Sequence, residues 1–175
     1  MPVSWRQRTL FAAGKNKNSD MKLKSICAAA PNQEKPRVLL WKPPFYDFAF
    51  DRHHAKLEAR HHIELLASHK IIWCGSDLTA LGIADALEEK GLLVGKDVFL
   101  IGHDNLEGVD NFVGTPFLST IDTRWEEWGR LAGKAALQLV DSPTKKQYTL
   151  DCAYIARKSF PNTLRQTKGE RNESH

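Results

Sequence analysis

Cysteine is scarce in this chain of 175 residues: Cys27, Cys74 and Cys152 are odd in number, far apart and without a C-x-x-C pair. That pattern argues against a disulfide frame and for a reducing compartment or buried thiols. Long apolar runs are missing too. None approaches the ~20 residues that cross a bilayer, so no membrane span and no membrane partner is expected. "MKLKSICAAAP", from Met21, has a basic start and small residues. Its apolar part is too short and too internal for a signal peptide, which leaves the cytoplasm as the expected location. Catalytic signatures are also lacking: there is no G-x-S-x-G elbow and no phosphate-cradling glycine loop, and Ser76 and Ser119 have no identifiable His and Asp partners. The expectation is a protein that is not an enzyme and needs no cofactor. No internal repeat of the solenoid kind is present.

Charge is unevenly spread. Residues 1–36 hold seven Lys or Arg against Asp20 and Glu34, whereas residues 37–160 hold 15 against 17 acids. The net charge of +4 therefore comes from the amino-terminal segment, and the part expected to fold is mildly acidic, which weakens a nucleic-acid reading of it. Residues 1–36 show no period and contain the turn-like "GKNKNSD", so a flexible basic segment is expected there. Residues 161–175 are polar and are expected to fray.

Between them, residues 37–160 alternate strands with helices. "RVLLW" is a short β-prone run closed by Pro43 and Pro44, and an exposed helix is expected from Asp51 to Ser68. "IIWC", "DVFLIG", "FLSTID" and "YTLDCAYIA" read as further strands. Helices start at Asp77, with Gly91 as stop, and near Trp128, ending before Asp141. This order implies an α/β fold, a parallel sheet with flanking helices on both faces.

Ligands of open parallel sheets gather at the carboxyl ends of strands. Asp77, Asp104 and Asp122 each stand at such an end, where three carboxylates could converge on the hydroxyls of a polar ligand. Spacing alone favours three caps of loops and helices. His54, Glu58 and His61 or His62 would share a helix face, yet no H-E-x-x-H and no third close ligand accompanies them. A solvated helix face is the plainer reading, and no metal site is assigned.

The combination of "SDLTALG", "VFLIGHDN", "TPFLSTID" and "ARKSF" resembles the C-terminal part of the effector domain of LacI/GalR-type transcriptional regulators. The resemblance covers roughly Ile71 to Phe160. It implies one subdomain of the type I periplasmic-binding-protein fold and a sugar or small-polyol effector bound between two subdomains. By position it implies that Asp77 and Asp104 line the effector cleft, and that Thr123 stands where many members carry a ligand-contacting Gln. Asp122 or Trp125 could substitute for that Gln, Trp125 by stacking on a sugar face or by simple packing. Arg52 falls near the family's effector-contacting Arg. A homodimer through the helix from Asp77 to Lys90 and the loop Asn105 to Val113, or pairing with an intact relative, also follows. Residues 1–36 show no "DVAxxAGVS"-like stretch, so specific DNA binding by this chain alone is not expected. A sugar-binding protein of a membrane transport system is the alternative, and a non-functional truncated product a further one.

Overall fold

The apolar runs of the chain become neighbours in one six-stranded sheet. A computed structural model describes residues 4–42, 48–106, 116–141 and 148–161. In chain order these form α1 (Trp5–Arg8), β1 (Thr9–Gly14), α2 (Lys17–Ala29), a 3-10 turn at Pro31–Gln33, β2 (Arg37–Trp41), α3 (Phe48–His61) and α4 (Ile63–Ala67). They continue with β3 (Ile71–Cys74), α5 (Asp77–Glu89), β4 (Phe99–His103), β5 (Ser119–Asp122), α6 (Trp125–Asp141) and β6 (Ala153–Ile155). The strand order is β2-β1-β3-β4-β5-β6. The first five strands in that order pair in parallel, and β6 returns antiparallel along β5.

Alternation along the strands divides the core between the two faces of the sheet. Leu10, Ala12, Leu39, Trp41, Ile72, Cys74 and Leu100 join the larger cluster with α3 and α5. Phe11, Ala13, Leu40 and Trp73 turn to the other face, where Ile26 and Leu23 of α2 cover them. The helix ends follow local chemistry. Asn16 Oδ1 caps α2 by accepting from Ser19 N at 2.8 Å, and Ser76 Oγ caps α5 by accepting from Thr79 N at 3.1 Å. At the other end of α5, Gly91 adopts φ 82°, and Leu92 N donates to Leu87 O at 2.9 Å, a Schellman stop.

Small residues let α3 and α5 approach closely. Ala55 and Ala59 of α3 face Ala80 and Ala84 of α5 within one core cluster. A Cβ at Gly82 would run into Arg52 O and come within 2.8 Å of Ala55 Cβ. Ion pairs seal the rim of this contact. Arg52 forks onto Asp85 at 3.0 and 2.8 Å, and Arg60 and Lys56 both reach Glu89 at 2.8 Å. The Arg60 hydrogen bond, then that from Lys56, holds the Glu89 carboxyl at about 2, below the ordinary 4.5. The contribution of these exposed pairs is therefore complete above the ordinary carboxyl range and is lost as pH falls through about 2.

Four expectations change. The segment expected to be flexible over residues 1–36 supplies β1, a central strand, and α2; a strand buried on both faces shows no alternation to betray it. "MKLKSICAA" is the body of α2, with Ile26 in the core. The helix expected from Asp51 to Ser68 divides at His62, whose φ of −113° and ψ of 20° leave the helical region. β6 is a three-residue strand running against its neighbour, so the sheet is mostly rather than wholly parallel. Residues 162–175 lie outside the described residues. On α3, His54 Nε2 lies 3.7 Å from Glu58 while His61 Nδ1 donates to Leu57 O, and no group of three metal-ligating side chains occurs among the described residues.

Because the α3–α5 contact leaves no room for a methyl group, Gly82→Ala should destabilise the fold by about 1–3 kcal/mol. Urea unfolding followed by circular dichroism reads this as a lower midpoint at unchanged slope, and an unchanged midpoint would refute the close-packing account.

Candidate functional site

The sheet reverses its winding between β1 and β3: the chain moves outward from β1 to β2, then crosses back to β3 and continues to β4 and β5. Such a reversal opens a crevice at the carboxyl ends of the two strands. Here that crevice lies between Gly14 and Gly75. Ser19 Oγ donates to Gly14 O at 2.8 Å, and Lys22 Nζ donates to Gly75 O at 2.7 Å across the gap. Burial pulls the Lys22 ammonium below its ordinary value of 10.5, while the carboxylates of Asp104 and Asp77 act in the opposite direction. A half-buried cation therefore sits in the electrostatic field of acids from neighbouring strand ends. The sequence reading missed Lys22, because the helix that carries it went unrecognised; the cap signal Asn16-x-x-Ser19 was the available clue.

Asp77 is fully buried. Its Oδ1 accepts from Thr120 Oγ1 at 2.6 Å and its Oδ2 from Leu106 N at 2.7 Å. A Cβ at Gly102 would collide with the same carboxylate, so β4 passes directly beneath it. The helix cap at this junction is Ser76, and Asp77 works as a clamp between the β3–α5 turn, the loop after β4 and β5.

Asp104 and Asp122 are placed differently. Asp104 has φ 112°, a region that disfavours side chains, and its N donates to Ile121 O at 2.9 Å. Its carboxylate lies 2.9 Å from His103 Nδ1 and is partly open to solvent. Asn105 follows with φ 58°, its Oδ1 accepting from Arg157 at 2.6 Å. Asp122 Oδ1 accepts from Arg124 N at 2.8 Å, closing a turn in which Arg124 has φ 55°. Three strained non-glycine residues at two adjacent strand ends are a feature associated with functional loops. Next to them, Thr123 Oγ1 is buried with no hydrogen-bond partner among the described residues. Trp125, the first residue of α6, is 61% exposed at the rim.

Arg52 stands apart from this group. Its guanidinium is committed to Asp85, eight residues into α5 and so about 12 Å along the helix from the strand end. The structure makes it a tie between helices. The surface expected for a dimer also differs, since α3 and the sheet enclose most of α5. Of the loop named with it, residues 107–113 lie outside the described residues. On α6 the indoles of Trp125 and Trp128, about one turn apart, are solvent-facing, and a Cβ at Gly129 or Gly133 would meet nothing within 4 Å. Cys74 is buried, which pushes its thiol up out of the reactive range.

This geometry is that of a doubly wound α/β sheet with polar and charged side chains gathered at the carboxyl ends of its strands. Residues 21–160 match the periplasmic binding protein-like domain, and the chain belongs to that family. Within that family the curated relatives it matches are transcriptional repressors, and it shares its fold with solved LacI-family regulators. It is 32% identical over 80 residues to the HTH-type transcriptional repressor PurR of Erwinia tasmaniensis, a match over 46% of this chain and 23% of that repressor. The Lac repressor bound to ONPG in its repressed state superposes with a TM-score of 0.69 at 21% identity, over 89% of this chain and 46% of that one. A LacI family regulator from Enterococcus faecalis with bound ribose gives 0.67 at 22%, over 89% and 55%. The matched part thus spans about a quarter of the curated repressor and about half of the solved chains. No helix among the described residues is long and apolar enough to cross a membrane.

If Asp77 is a clamp, Asp77→Ala strands the Thr120 hydroxyl and the Leu106 amide, and should cost about 1.5–3 kcal/mol for each charged hydrogen bond lost. Thermal unfolding checks this; an unaltered melting temperature would show that the carboxylate carries no structural load.

Proposed function

We propose that this chain forms one wall of the effector cleft of a LacI/GalR-type regulator and that it senses a sugar or small polyol in the cytoplasm without catalysis. The observation that supports it is the Lys22 ammonium, held on Gly75 O at the winding reversal, with the Asp104 carboxylate of the next strand end in its electrostatic surroundings. A cation that donates and a carboxylate that accepts, both half-covered, suit neighbouring hydroxyls of one ligand. Asp122 and the unpartnered Thr123 hydroxyl extend the polar wall, and the Trp125 indole offers a flat apolar surface at its edge. Asp77 serves as a positioning residue, holding the loops that carry Asp104 and Asp122. The bound ribose of the Enterococcus faecalis regulator favours a sugar. The likeness to PurR keeps a planar base in view, which the same indole would stack.

A second lobe completes this reading. The apolar face of α6 is the surface on which that lobe would sit, in the same polypeptide or in a partner. Closure of two lobes around effector is then the signal, passed to a DNA-reading head that the described part of this chain does not supply.

Calorimetric titration of the chain with a panel of pentoses, hexoses and purine bases tests the site. Half a cleft leaves Lys22 and Asp104 to water, so the expected affinity is millimolar, about 4 kcal/mol. Lys22→Ala and Asp104→Ala should each remove about 1.5–3 kcal/mol of it, which at this affinity abolishes detectable heat. Arg52→Ala should leave it intact. Binding that survives both substitutions would place the effector elsewhere, and saturation by a base but no sugar would reassign its class.

A further inference from the structure

The opposite end of the sheet carries a cavity of about 340 Å³, lined by Arg6, Gln7, Arg37, Ser68 and His69. These residues come from three separate segments: α1 just ahead of β1, the first position of β2, and the approach to β3. The pairing register brings the segments together, because Leu10 lies beside Arg37 and Thr9 beside Ile71. Two guanidiniums and an amide stand in this lining, the Ser68 hydroxyl donates to Leu65 O at 2.8 Å, and no carboxylate is among the lining residues.

The arginines of the chain divide in a way that bears on this cavity. Arg52, Arg60, Arg124 and Arg130 pair with carboxylates, and Arg157 donates to Asn105 and to Leu118 O. Among the described residues, the three guanidiniums without such an acceptor are Arg6, Arg8 and Arg37, and two of these three line the one cavity. His69 is almost fully buried, and its orientation is fixed by Nδ1, which lies 2.7 Å from Leu65 O and 3.1 Å from Ser68 Oγ. Thr9, at the same end of β1, has a buried hydroxyl with no partner among the described residues.

We infer that this cavity is an anion site for a small phosphate-bearing molecule, separate from the effector cleft. Two forked guanidiniums match the oxygens of a tetrahedral oxyanion, and the Gln7 amide NH2, whose Oε1 accepts from Ser4 N, supplies a neutral donor beside them. The cavity is open to solvent on the side of Arg6 and Arg37, and its volume, at the lower end of small-molecule pockets, suits one small ligand. A nucleic-acid backbone would call instead for an extended basic track. The site lies at the amino ends of the strands, so it is distinct from Lys22 and Asp104 at their carboxyl ends.

The test is calorimetric titration of the 175-residue chain with inorganic phosphate and with glycerol 3-phosphate, at an ionic strength held constant with sodium chloride. Saturable binding of one or both is expected. Arg6→Ala and Arg37→Ala should each weaken it roughly tenfold or more, and Arg37→Lys by less, because an ammonium keeps the charge without the fork. Both positions are exposed, and circular dichroism of each variant confirms that it folds. Tighter binding of the monoester identifies a phosphorylated small molecule as the ligand class, and equal or weaker binding identifies free phosphate; either supports the site. No saturable heat from either anion overturns it, as does undiminished affinity in both alanine variants. Loss of phosphate binding in Lys22→Ala instead would place the anion in the effector cleft and also overturn it.

Discussion

The buried carboxylate of Asp77 joins the parts of this structure that matter for ligand binding. A charge so fully removed from water persists only where donors surround it, and Thr120 and Leu106 supply them from two other segments. The β3–α5 turn, the loop leaving β4 and the body of β5 are consequently held in one arrangement. Gly102 is part of the same requirement, since any side chain there would occupy the space of the carboxylate. Asp104 and Asp122 present their side chains from loops that this clamp positions.

Charge is sorted along the strands. At their carboxyl ends the acids Asp77, Asp104 and Asp122 gather, opposed by Lys22 alone of α2. At their amino ends stand Arg6, Arg8 and Arg37. The basic residues of the first 36 positions are divided between the two ends of β1, Arg6 and Arg8 ahead of it and Lys15, Lys17 and Lys22 after it, and the cleft side keeps a mixed polar wall. Positive φ occurs on both sides: Asp104, Asn105 and Arg124 sit at the carboxyl ends, and Asn32 and Gln33 in the turn that leads into β2. Backbone held in such a state is a cost that the surrounding hydrogen bonds offset.

α6 differs from the other long helices in what it leaves open. α3 and α5 bury their small residues against each other, and α2 covers the second face of the sheet, whereas the indoles of Trp125 and Trp128, about one turn apart on α6, meet solvent. Large apolar side chains exposed together mark an interaction surface more often than a chance of composition. In the proposed two-lobed arrangement that surface is the seat of the second lobe, and Trp125 belongs both to it and to the rim of the cleft. Ligand sensing and lobe closure would then share one helix end.

The sequence by itself determined the strands β2, β3, β4 and β5 and the start and stop of α5. Their signals are local: apolar runs bounded by turn residues, an N-cap serine beside Asp77, and a glycine able to take positive φ at position 91. It also brought Asp104 and Asp122 forward as strand-end acids. It did not reveal β1 and α2, because a central strand buried on both faces has no period and α2 buries little of its surface. Losing that unit lost Lys22 as well, and Arg52 stood in its place. Only the tertiary structure separated three similar aspartates into one buried clamp and two loop acids, and assigned Arg52 to Asp85. The physical reason is that a carboxylate's role depends on which donors reach it and how much water remains, and those donors come from residues 29 and 43 positions away along the chain.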